Sequence, residues 1–182
     1  MTERKYTIEQ VASRIDGFLG PVIAKAGFQL SYRIEEGQTP HPDFENPEIL
    51  VKFSGQDVDL VLENKAELLL ALEQLTMEML RVPAEEHSLL CFDANDYRAL
   101  RIEELRLSAS AAAEKVRRTR IPFTFSPMNS RERRIVHLAM RNEPDVRSES
   151  TGVGPRRQVV IYPAGMSSSA PPPRPPARRP RR

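Results

Sequence analysis

Between Thr7 and Ala26 the apolar residues Ile8, Val11, Ile15, Leu19, Val22 and Ile23 return every three or four positions, the spacing of a helix with one buried face. Thr7 is a capping residue type and Gly27 a stop. From Phe28 to Ile34 the period drops to two, which predicts a strand half exposed to water. Gly37 to Pro47 holds three prolines and reads as a loop. Ile49 to Phe53 predicts a second strand ended by Ser54-Gly55, and Leu60 to Arg81 a helical stretch with a short break near Glu63-Asn64. Ser88 to Phe92 predicts a third strand. The order helix, two strands, two helices, strand describes a small α+β sandwich on a three-stranded sheet.

A long helix is expected from about Asn95 to Thr119, capped by Asn95 or Asp96, with Leu100, Ile102, Leu105, Ala109, Ala112, Ala113 and Val116 on its buried side. Ile121 to Phe125 reads as a strand broken by Ser126-Pro127, and Asn129 caps a short helix reaching Arg141. Arg147 to Thr151 and Gln158 to Tyr162 read as two strands joined through Gly152-Val153-Gly154-Pro155.

Charge divides the chain where these patterns change. The 182 residues carry a formal net charge of +2, yet residues 1–93 hold 8 Lys or Arg against 17 Asp or Glu, residues 94–162 hold 14 against 8, and residues 163–182 hold five Arg and no acid. The expected organisation is therefore an acidic domain over 1–93, a basic one over 94–162 and a tail over 163–182. The tail holds 7 of the 16 prolines and almost nothing apolar, so it is expected to be disordered with polyproline II character. The lone Cys91 forms no internal disulfide and supplies no Cys-rich zinc site, and it reads as core within an apolar strand. No apolar run approaches the roughly 18 residues of a membrane span, and the polar N-terminus lacks a signal core. A soluble cytoplasmic protein is the plain expectation.

The most informative stretch runs from Asn129 to Arg141. At about 100° per residue, Ser130, Arg133, Arg134, His137 and Arg141 share one arc, while Ile135, Leu138 and Ala139 point away. Arg131 lies in the same stretch, and Arg117, Arg118 and Arg120 at the end of the preceding helix could extend the patch. Guanidinium forks match phosphate oxygens, and a His one turn beyond Arg133 can donate to a phosphate or stack on a base. The same residues also fit a merely solvated helix face.

Ala113-Glu114-Lys115-Val116, then Ile121-Pro122-Phe123, Pro127-Met128-Asn129 and Arg133-x-x-x-His137 resemble the R-three-H domain, a single-stranded nucleic-acid-binding module. The resemblance implies that Arg133 and His137 project from one helix and make the contact. Asp59 to Leu75 is similar to the helix, loop, helix core of a type II KH domain, a three-stranded sheet with helices on one face. KH followed by R-three-H is the arrangement of the Jag family, also called SpoIIIJ-associated or KhpB. Family members often carry a further N-terminal domain, and this chain begins too close to the KH helix to be expected to hold one.

Where a KH domain has Gly-x-x-Gly, this chain has Glu63, Asn64, Lys65 and Ala66. Both glycines that let phosphates approach are replaced, and a carboxylate stands where a phosphate would sit. The expected function is thus binding of single-stranded RNA or DNA mainly through the second domain, with the KH half as scaffold or docking surface. By resemblance, a small KH protein is an expected partner and post-transcriptional regulation the expected role. The competing class is a protein-interaction adaptor whose working surface is the acidic half. An enzyme is the weakest reading: His41, His87 and His137 are scattered, His87 reads as a surface loop residue, no metal-ligand spacing emerges, and no cofactor is expected.

Overall fold

The structure, a computed structural model, describes residues 4–166. The expected disorder of the tail beyond Met166 lies outside them. The chain divides into two units, Met1–Ile102 and Glu103–Arg182.

In the first unit, α1 (Ile8–Ala26) buries Val11, Ile15, Leu19 and Ile23. The Gln10 side chain accepts the Thr7 N–H at 3.0 Å, and Gly27, at φ +74, closes the other end. Strands β1 (Leu30–Glu36) and β2 (Ile49–Gly55) pair antiparallel from Leu30↔Gly55 to Glu36↔Ile49. Strand β3 (Leu90–Ala94) runs parallel to β2, which requires the crossover supplied by α2 (Val58–Leu80). The sheet order is β1-β2-β3. Its core gathers Val51, Phe53, Leu90 and Phe92 against Ile15, Leu19, Leu69 and Met77, with Phe53 and Phe92 5.4 Å apart.

β1 starts two residues later than the alternation predicts, because the Gln29 N–H is taken by the Asp57 carboxylate at 2.7 Å and not by the ladder. β3 also starts two residues late, since Ala84–Leu89 winds into a 3-10 turn. His87 is half-buried there, not a free surface residue: its Nε2 lies 3.1 Å from the Val82 carbonyl. Cys91 is buried, and burial pushes its thiol pKa up. α2 breaks at Glu63 (φ −58, ψ 156), after which Asn64, Lys65 and Ala66 all take positive φ, between 51 and 64.

α3 (Tyr97–Thr119) crosses the division at Ile102. Neither Asn95 nor Asp96 caps it as expected; both sit at positive φ, and the Asp93 carboxylate accepts the Arg98 N–H at 3.1 Å. Arg98 clasps both oxygens of Glu45 at 3.0 and 3.2 Å and reaches Glu73 at 3.2 Å, which ties the proline-rich loop and α2 to the start of α3. Burial pushes the Glu73 carboxyl up to about 7 although the Arg98 charge opposes it. Leu100 is 68% exposed, contrary to expectation. It lies about 160° around the helix from Ile102, whereas Leu105, Ala109, Ala112, Ala113 and Val116 share the Ile102 side and are buried.

In the second unit β4 (Phe123–Thr124), β5 (Val146–Thr151) and β6 (Gln158–Pro163) form an antiparallel sheet of order β4-β6-β5. β4 is shorter than predicted because Arg120, at φ +57, closes α3 and Pro122 has no N–H to offer. The central β6 is buried from Val159 to Tyr162, and α4 (Ser130–Ala139) contributes Ile135 and Val136 to the same core. The first residues of the expected tail belong to this fold: Pro163 ends β6, the Ala164 N–H donates to the Asp145 carbonyl at 2.9 Å, and the Met166 carbonyl accepts from Arg147.

Candidate nucleic-acid interface

α4 begins at Asn129, whose Oδ1 accepts the Glu132 N–H at 2.9 Å while Glu132 accepts the Asn129 N–H at 3.1 Å. This reciprocal cap occupies two of the donors at the helix start, the Asn129 and Glu132 N–H groups. Ser130, Arg133, Arg134, His137 and Arg141 line one open hollow of about 530 Å³, with Leu138 and, from β5, Ser150. The sequence spacing placed the five polar residues together. Leu138 was expected to point away and instead forms part of the wall, since position 138 is only one residue beyond the His137 row and the hollow is wide.

His137 is held at both ring nitrogens. Nδ1 lies 2.7 Å from Ser148 Oγ and Nε2 2.9 Å from Ser150 Oγ. Residues 148 and 150 share a face of β5, which is why one ring can meet both. Burial lowers the His137 pKa from its ordinary value, and the charges of Arg133 and Arg157 lower it further. Arg133 donates Nη1 to the Met128 carbonyl at 3.0 Å, which fixes the guanidinium and leaves its remaining donors free for a ligand.

Among the described residues, Arg133, Arg134, Arg141 and Arg157 make no ion pair with a carboxylate. Elsewhere in the unit other arginines are neutralised, among them Arg117, which pairs with Glu143 and Asp145, and Arg147, which pairs with Glu149 while lying 4.6 Å from the Tyr162 ring centre. Arg117 is thus a structural cation and does not extend the patch as the sequence suggested. Arg118 and Arg120 are exposed at the end of α3 and Arg131 is half-buried on α4; none of the three lines the hollow. Sequence reasoning missed Arg157, Ser148 and Ser150. The serines were findable, since β5 alternates and both fall on one face, but nothing in the sequence says which face α4 covers.

Glu63, Asn64 and Lys65 are exposed and Ala66 is fully buried in the break of α2. Among the described residues no three His, Cys, Asp or Glu side chains group to hold a metal, and no helix is long and apolar enough to cross a membrane.

Residues 103–163 match the model of the R-three-H domain. The chain is 28% identical over 159 residues to a protein from Clostridium symbiosum named RNA-binding protein KhpB, covering 87% of this chain and 68% of the relative. It is 31% identical over 110 residues to the RNA-binding protein KhpB of Bacillus subtilis (strain 168), covering 59% of this chain and 53% of that relative. Against the protein of the same name from Lactiplantibacillus plantarum the identity is 28% over 119 residues, 65% of this chain and 37% of the relative. The family model thus meets the resemblance to the R-three-H domain over residues 103–163, and the chain is similar to proteins named KhpB.

Proposed function

We propose that this is a cytoplasmic protein that binds single-stranded nucleic acid, RNA above all, through the α4 hollow, and that the first unit serves as scaffold or as the docking surface for a small KH protein. The observation that carries the reading is the set of guanidiniums around His137 with no carboxylate partner among the described residues. A folded protein gains nothing by holding such charges together unless an anion comes between them. The printed names of the relatives point the same way: each is called an RNA-binding protein. The order of elements in the first unit and the break at Glu63 to Ala66 support a KH-like scaffold whose phosphate-approach loop has lost its glycines.

Fluorescence anisotropy of a labelled mixed-sequence single-stranded RNA, titrated with the full chain, tests this. Three phosphate contacts predict a log-log salt slope of about −2. Arg133→Ala and His137→Ala should each weaken binding about tenfold or more, the scale of a lost charged hydrogen bond, and Glu63→Ala should weaken it little. An affinity blind to salt, or none at low salt, would instead leave the adaptor reading standing.

A further inference from the structure

Arg157 closes the hairpin turn between β5 and β6, and two hydrogen bonds through Met128, one between main chains and one from the Arg133 side chain, link its main chain to Arg133. Its carbonyl accepts the Met128 N–H at 3.0 Å, and the Met128 carbonyl in turn accepts Arg133 Nη1 at 3.0 Å. The turn itself is set. Gly152 stands at φ +89, where a Cβ would come within 2.6 Å of the Arg156 carbonyl, and Gly154–Arg156 forms a 3-10 turn with Pro155 near its start. Arg157 is exposed, and its charge acts on both Arg133 and His137. No carboxylate among the described residues is paired with either arginine. The fold thus ties the Arg157 main chain to the residue that holds Arg133 and brings two like charges within range of each other, an arrangement that an intervening anion would relieve.

We propose that Arg157 and Arg133 form one phosphate subsite, which takes a backbone phosphodiester of the bound single strand and leads the strand from the α4 hollow toward the hairpin turn. This rests on the reading of the hollow as the nucleic-acid site and adds a second element to it. Two guanidinium forks brought in from a helix and a hairpin can grip the non-bridging oxygens of one phosphate from two sides. The contact carries no sequence information; it sets the path and register of the strand.

The test compares Arg157→Ala, Arg157→Lys and Arg133→Ala in the full chain, using the labelled mixed-sequence RNA across a salt series, with thermal melting of each free protein. Arg157→Ala should weaken binding about tenfold at about 0.1 M salt and make the log-log slope shallower by about 0.7, the share of one single-strand phosphate contact. Its melting temperature should equal or exceed that of the parent, because the repulsion is gone and the hydrogen bonds through Met128 remain. Arg157→Lys should keep the slope. The subsite is overturned, with the hollow reading intact, if Arg157→Ala binds like the parent while Arg133→Ala is weakened. It is also overturned if Arg157→Ala melts lower, or if Arg157→Lys loses as much as Arg157→Ala. If Arg133→Ala too binds like the parent, the hollow reading itself falls and the subsite with it.

Discussion

At His137 two pulls oppose each other. Burial and the neighbouring charges of Arg133 and Arg157 favour the neutral ring, so its pKa lies below the ordinary imidazole value. A phosphate in the hollow would favour the protonated ring instead. The two serine hydroxyls, at 2.7 and 2.9 Å, can each donate or accept, so they hold the ring in either state. The signs follow from linkage. Because the folded-state pKa is depressed, stability is fully present above about pH 6.5 and declines as pH falls through the depressed value. RNA affinity should move the other way and tighten several-fold as pH drops from about 8 to about 5.5, with proton uptake on binding. His137→Gln, which can still meet one serine, should flatten both profiles. Anisotropy and melting curves over that pH range check it, and an affinity in the parent that does not change with pH would exclude a protonatable contact.

The break in α2 can be weighed element against element. Asn64, Lys65 and Ala66 all lie in the left-handed region, where an L-residue with a side chain pays about 1–2 kcal/mol. Lys65 is exposed, so Lys65→Gly relieves that cost and loses only the backbone entropy of glycine, about 0.5–1 kcal/mol. It should stabilise the protein by up to about 1 kcal/mol in urea unfolding. Ala66 is fully buried, and Ala66→Gly also gives up a methyl worth about 0.8 kcal/mol, so it should be nearly neutral. A Lys65→Gly protein less stable than the parent would mean the side chain is held by something other than the turn. The sequence announced this break at Glu63-Asn64 but not its handedness. The same division runs through the rest of the chain. Periodicity made the α-helices and the longer strands legible because they turn one face to a core, including the α4 arc of Ser130, Arg133, Arg134, His137 and Arg141, but not the 3-10 turn Ala84–Leu89, which buries no residue fully. What periodicity lacks is knowledge of long-range partners. Asp57 taking the Gln29 N–H moved the start of β1, Asp93 displaced Asn95 and Asp96 as the cap of α3, and Glu143 with Asp145 removed Arg117 from the patch. Arg157 was illegible for the same reason, since it is remote from Arg133 in sequence and only the Met128 links bring it near.

Over the whole molecule the formal charge of +2 hides a reversal that a polyanion would feel. Residues 1–93 hold nine more acids than bases, among them the exposed Glu63 and Glu67, while the hollow of the second unit is cationic. A single strand approaching the protein meets the sum of both fields within a Debye length, about 10 Å at 0.1 M salt and about 30 Å at 0.01 M. If the acidic half repels RNA without contacting it, its influence must vanish as salt rises, whereas direct phosphate contacts persist with their own slope. The full chain carrying Glu63→Lys and Glu67→Lys separates the two effects. At about 0.02 M salt it should bind the mixed-sequence RNA several-fold more tightly than the parent, and near about 0.5 M the two should converge. A gain that survives high salt would mean the altered α2 turn has become a contact surface in its own right. No gain at any salt would show that the charge of the first unit is not sensed by the bound strand, and the acidic half would then be free to serve a partner while the α4 hollow holds RNA.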